Sequence, residues 1–116
     1  MAVLRRQPEA DQALKRWIGE GEQIEMSSVA WSEFLCGPVS AEQLHRARAF
    51  VSHVEPFTIS DAALAAELFN VTGRRSRTPG NCMIAASAIR RDSAVATFDR
   101  SGFARFTAFQ LRLVPL

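Results

Sequence analysis

Long apolar runs are missing from this chain. Nowhere among its 116 residues is there the stretch of about 20 that a membrane helix needs. The opening residues, MAVLRRQPEA, contain two arginines and no apolar core of the kind that begins a secretory signal. Both absences point to the cytoplasm, with no membrane among the partners. Cysteine is scarce: Cys36 and Cys82 form no CxxC pair, and His45 and His53 are the only histidines. A structural zinc centre is therefore not expected, and the thiols read as reduced groups in or near the core. Lysine is nearly absent, since 13 of the 14 basic residues are arginine and only Lys15 is not. Arginine suits bidentate phosphate contacts, although a GC-rich coding sequence gives the same bias. The net charge of +2 supplies no large overall attraction for nucleic acid. Internal repeats, low-complexity segments, glycine-rich phosphate loops, heptads and Ser-His-Asp arrangements are all lacking.

What is present suits one compact domain, residues 1–116. Hydrophobic residues make up 47 % and charged residues 22 %, enough for a packed core and unlike a disordered chain. Apolar residues at Ala10, Ala13, Leu14, Trp17 and Ile18 predict a helix over Glu9–Glu20, stopped by Gly21. Gln23–Ser27 reads as a short strand, then Ser27 or Ser28 opens a helix over Val29–Cys36 that ends at Gly37-Pro38. Ser40 and Gln43 have capping-box spacing for the next helix. Val54–Thr58 reads as a strand that Pro56 confines to an edge. Ser60 or Asp61 starts a helix ended by Gly73. Thr78-Pro79 starts another, Pro79–Ile89, apolar nearly all round and so expected at the centre. Ala94–Thr97 and Leu111–Val114 read as strands, with a loop or short helical turn over Phe98–Phe106 between them.

Alternating strands and helices predict an α/β fold: three layers, helices on both faces of a mainly parallel sheet of about four strands. Function in such sheets lies at the carboxyl ends of the strands. There the layout gathers Glu33, one turn into the helix after the first strand, Asn81 in the first turn of the buried helix, and Asp99 after the third strand. Two carboxylates and an amide, beside a hydroxyl of Ser28 or Thr97, have the oxygen chemistry to hold a hard cation. Each also has a plain structural reading: Glu33 as a solvated surface residue, Asp99 as a turn residue, Asn81 as a cap. Asp61 reads as a charge complementing a helix dipole. His45 and His53 read as surface residues, and Trp17 and Trp31 as core. Arg74, Arg75 and Arg77 form the densest positive patch, a candidate RNA-binding loop or simply a solvated one.

Three local sequences strengthen the site reading. They are Ser27-Ser-Val-Ala-Trp-Ser-Glu-Phe-Leu-Cys-Gly37, then Arg77-Thr-Pro-Gly-Asn-Cys-Met-Ile-Ala-Ala-Ser-Ala88, then Ala96-Thr-Phe-Asp-Arg-Ser-Gly-Phe103. With Leu111–Pro115 as a closing strand, they resemble PIN domains, especially the VapC-like toxins of bacterial toxin–antitoxin systems, over essentially the whole chain. The resemblance implies a metal-dependent endoribonuclease. About four acidic residues there hold Mg²⁺ or Mn²⁺, which activates water against an RNA phosphodiester. It also implies a small VapB-like antitoxin as partner. Glu33 matches the second acid of the family and Asp99 the fourth-strand acid, while Asn81 stands at the place of the third. The family's opening strand, which carries the first acid, has no counterpart here. The expectation is an N-terminally truncated PIN domain with weak cation binding and weakened or no turnover. Alternatively, it is a non-catalytic module binding RNA or a protein. The unmet pairing of the absent strand also suggests a partner or a homodimer.

Overall fold

The computed structural model describes residues 8–73 and 79–114, with side chains from residue 12 onward. Chain order is α1 (Pro8–Gly19), β1 (Glu25–Ser27), α2 (Ser28–Cys36), α3 (Ala41–Phe50), β2 (His53–Glu55) and α4 (Ile59–Val71). Then follow α5 (Gly80–Arg90), β3 (Ala94–Ala96), α6 (Arg100–Phe103), a 3₁₀ helix over Ala104–Phe109, and β4 (Arg112–Val114). The candidate patch at Arg74, Arg75 and Arg77 lies outside the described residues, as does the Thr78 cap.

The local chemistry sets these bounds. Gly21 and Gly73 follow α1 and α4 at φ +87° and +79°, the left-handed region open to a residue without a Cβ. Ser27 caps α2, its Oγ accepting from the Ala30 N–H at 3.0 Å. Ser40 and Gln43 form the expected capping box on α3. A second box was overlooked in the sequence: Thr58 caps α4 and exchanges hydrogen bonds with Asp61 at 3.0 and 3.1 Å. The helix therefore begins at Ile59, and β2 ends before Pro56.

Helix α5 is the centre, as its all-round apolar pattern predicted. Cys82, Ile84, Ala85, Ala86, Ser87 and Ala88 are all buried along it. It packs against α4, α2, β1, β3 and α6. Small side chains let these neighbours approach closely, and Leu14, Met26, Leu68, Val95 and Phe106 complete the core. Trp17 and Trp31 are half-buried against it, Trp31 with its ring 5.5 Å from Phe34. His45 and His53 are exposed. Of the two thiols, Cys82 is in the core but Cys36 is exposed, because α2 ends there at the surface.

The four described strands are all parallel to their partners, in two separate pairs. β1 pairs with β2, Met26 opposite Val54, and β3 pairs with β4, Val95 opposite Leu113. The α/β character and the parallel pairing follow the sequence reading. The division into halves is the structural mark of a sheet in which β1 and β3 are not neighbours among the described residues. No helix among the described residues is long and apolar enough to cross a membrane.

Candidate functional site

The site forms where β3 ends. Thr97 is buried, and its Oγ1 accepts the Asp99 N–H at 3.0 Å, so the chain turns sharply after the strand. Asp99 caps α6, with Oδ1 accepting from the Gly102 N–H at 3.2 Å. From the first turn of α5, the Asn81 amide donates to Asp99 Oδ2 at 3.4 Å and to the Gly102 carbonyl at 3.3 Å. Both targets are acceptors, which fixes the NH₂ side of the amide toward them. The structure thus joins Asn81 and Asp99, eighteen positions apart.

Gly102 is what lets them meet. A Cβ at this position would fall 2.7 Å from Asn81 Nδ2 and closer still to Asp99 Oδ2. The sequence suggested only a turn there. Glycine in an Asp-x-x-Gly turn just after a short strand signals such a close approach.

Glu33 is not bonded to this pair. It is exposed on α2, and no hydrogen bond or ion pair links it to Asn81 or Asp99 among the described residues. Its apolar sequence neighbours suggested a need for a partner, but the helix turns it to solvent while Ala30 takes the core position. Ser28 is also engaged elsewhere. Its Oγ accepts the Phe57 N–H at 3.0 Å and ties the start of α2 to the segment before α4. Of the expected cation-holding constellation, Asn81, Asp99 and Thr97 are linked by hydrogen bonds, whereas Ser28 is bonded to Phe57 and Glu33 is exposed.

A second polar cluster went unnoticed in the sequence. Asp61 is fully buried on α4. Arg90 at the end of α5 binds both its oxygens, through Nε to Oδ1 and through Nη2 to Oδ2 at 3.2 Å. Ser87 Oγ donates to Oδ2 at 3.1 Å. Burial pushes the Asp61 carboxyl up, but Arg90, the Thr58 N–H and Ser87 outweigh it and hold the pKa below the ordinary 3.8. Arg90 also donates to Glu55 at 3.0 Å. Glu55 is lowered in turn by its hydrogen bonds from His53 and Arg90. Arg91 joins Glu55 to Glu25, linking β2 and β1 to the end of α5. Near the site, burial raises the Cys82 thiol, and Arg105 partly counters it. The Arg105 guanidinium stacks 4.8 Å from the Phe106 ring centre.

A family model for the PIN domain matches residues 1–108. The chain belongs to the PIN domain family. No curated protein sequence matches it. Among solved structures, VapBC2 from Rickettsia felis, bound to a DNA fragment from its promoter, superposes with a TM-score of 0.75 at 15 % identity, covering 98 % of this chain and 90 % of that one. VapBC-1 from nontypeable Haemophilus influenzae gives 0.68 at 17 %, covering 90 % and 84 %. FitAcB from Neisseria gonorrhoeae gives 0.65 at 18 %, covering 94 % and 86 %. At these identities the likeness is one of fold.

PIN domains are in general divalent-metal-dependent nucleases, so the residues present must be tested against such an ion. They do not fit one. Among the described residues no three acidic, histidine or cysteine side chains cluster as a metal set. Both Asp99 oxygens already accept hydrogen bonds, one of them from the Asn81 amide. A hard cation selects for several convergent anionic oxygens, and this arrangement offers one carboxylate.

Proposed function

We propose that this chain is the toxin-type PIN component of a VapBC-like pair, directed at RNA, with metal-dependent phosphodiester cleavage strongly reduced. The family membership and the VapBC and FitAB folds support the class. The observation that carries the reduction is the Asn81–Asp99 hydrogen bond. Two carboxylates at this separation repel and call for a cation between them. An amide and a carboxylate attract, so the pair satisfies itself. Mg²⁺ or Mn²⁺ binding at Asp99, Asn81 and Glu33 is accordingly weak in this reading. The natural partner is a small VapB-like antitoxin. A homodimer suits the same reading, as does a cytoplasmic location.

The test is RNA cleavage with Mg²⁺ or Mn²⁺ by the chain and by Asn81→Asp. The reading expects slow or undetectable cleavage by the first and a gain of at least about tenfold by the second, a modest share of what a general metal-ion role supplies. Rapid cleavage by the unaltered chain, abolished by Asp99→Asn, would show the site to be complete and the reduction wrong. No gain in Asn81→Asp would remove the enzyme reading.

The second reading is a non-catalytic RNA-binding or partner-binding PIN module. It is favoured by the exposed position of Glu33, which is bonded to neither Asn81 nor Asp99. RNA binding that survives EDTA, falls steeply with salt and is lost in the combined Arg74→Ala, Arg75→Ala, Arg77→Ala variant supports it.

A further inference from the structure

Beyond the carboxyl end of β3, Phe98, Asp99 and Arg100 stand in solvent one after another. Resting on the reading of this chain as directed at RNA, we infer that Phe98 and Arg100 are a contact pair for a single RNA strand. The Phe98 ring stacks on a base, and the Arg100 guanidinium holds a neighbouring phosphate.

Three observations lead there. First, Phe98 is 41 % exposed, although the chain just after it builds an aromatic core. Phe103 and Phe106 are buried there, edge to face with ring centres 6.2 Å apart. A singly exposed phenylalanine is ordinary on a protein surface. This one lies beyond the carboxyl end of a parallel strand, where function gathers in such sheets. Second, its backbone is held on both sides. Thr97 before it is buried, and the Thr97 Oγ1 accepts the N–H of Asp99 after it at 3.0 Å. Asp99 is fixed in turn by the Gly102 N–H and the Asn81 amide. An aromatic ring on a preformed turn loses little freedom when a base stacks on it. Third, Arg100 is an exposed cation with no ion-pair partner among the described residues. Even the Asp99 carboxylate, its neighbour in sequence, bonds to Gly102 and Asn81 instead. Its guanidinium therefore keeps its donors for a phosphate, which arginine binds in bidentate fashion. A stacking ring beside a cation suits a single strand, whose bases are open to stacking, whereas a duplex hides its base faces.

The probes are fluorescein-labelled RNAs of about eight nucleotides, an ordinary single-strand site size, either intact or with one abasic position moved along the strand. Fluorescence anisotropy in EDTA reads binding without cleavage. The expected result is saturable binding that weakens about tenfold in Phe98→Ala and is retained in Phe98→Trp. An abasic nucleotide at one position weakens binding to the unaltered chain by a similar factor. It costs Phe98→Ala almost nothing, because the ring that met the base is already gone. Arg100→Gln flattens the slope of log affinity against log salt by about 0.7, the share of one phosphate, while Phe98→Ala leaves the slope alone. Phe109→Ala is the control: Phe109 is also exposed, but it precedes β4 at the opposite end of the β3–β4 pair, and its loss changes neither quantity. Unchanged affinity in Phe98→Ala, or abasic losses that persist in full in that variant, overturns the inference and leaves the RNA reading standing. Absence of binding by the unaltered chain overturns both. Self-association that is lost in Phe98→Ala gives the ring to a second copy of the chain and overturns the stacking.

Discussion

Two polar clusters of this molecule can be set side by side: Asp61 with Arg90, and Asp99 with Asn81. The first is buried, bidentate and charge-paired. The second is solvent-exposed and held by one amide and two main-chain groups around Gly102. The stronger interactions and the displaced pKa belong to the first cluster, yet its groups satisfy one another and leave nothing for a ligand. A shifted carboxyl is therefore a sign of architecture here, where Arg90 ties α4 to α5 and, through Glu55, to β2. The weaker cluster is the one the proposed reading gives to chemistry, and its distinguishing trait is an amide facing its one carboxylate.

The largest expected effect breaks the first cluster. Asp61→Ala leaves Arg90 and Ser87 without their acceptor and should cost about 3 kcal/mol in a denaturant titration, the lower end for breaking a buried pair because Arg90 is partly exposed. Loss below about 1 kcal/mol would make the cluster incidental.

Next comes Gly102→Ala. The added methyl must displace Asp99 or Asn81, for about 1–3 kcal/mol of overpacking, with the α6 amide signals moving most. The same substitution at Gly37, where the nearest atom is 3.7 Å away, should be mild and serves as its control.

Acid sharpens the contrast further. Asp61 has a depressed folded-state pKa, so its contribution to stability is complete above the ordinary value of 3.8 and is lost as pH falls through the lower folded value. Denaturation midpoints between about pH 5 and about pH 2 should fall less in Asp61→Asn than in the unaltered chain. Equal slopes would contradict the linkage.

The smallest effect on stability is expected at Asp99. It is exposed, and Asp99→Asn should change unfolding free energy by no more than about 0.5 kcal/mol.

Much of the fold was legible because it follows from periodicity and caps. The all-round apolar run of α5, the Ser40 box and the Gly21 and Gly73 stops depend on residues near one another in sequence. Asn81 and Asp99 were also brought together correctly, since both flank the same strand–helix unit. Glu33 is exposed, as its reading as a solvated surface residue had it, and the rotation of that short helix shows in Ala30, three positions earlier, which takes the core side. The Asp61 cluster was missed for another reason. Its partner Arg90 is twenty-nine positions away, and its Thr58 cap was read as the end of a strand. The division of the sheet into pairs depends on which strands become neighbours, which local pattern does not encode.

In the proposed function the Asn81 amide holds Asp99 in place of an acid and a cation. Calorimetric titration of Mn²⁺ into the unaltered chain and into Asn81→Asp tests it most directly, with melting temperature followed in parallel. The account predicts negligible heat for the unaltered chain, and saturable binding at least about tenfold tighter with a metal-dependent rise in melting temperature for the variant. Tight Mn²⁺ binding by the unaltered chain, lost in Asp99→Asn, would contradict it.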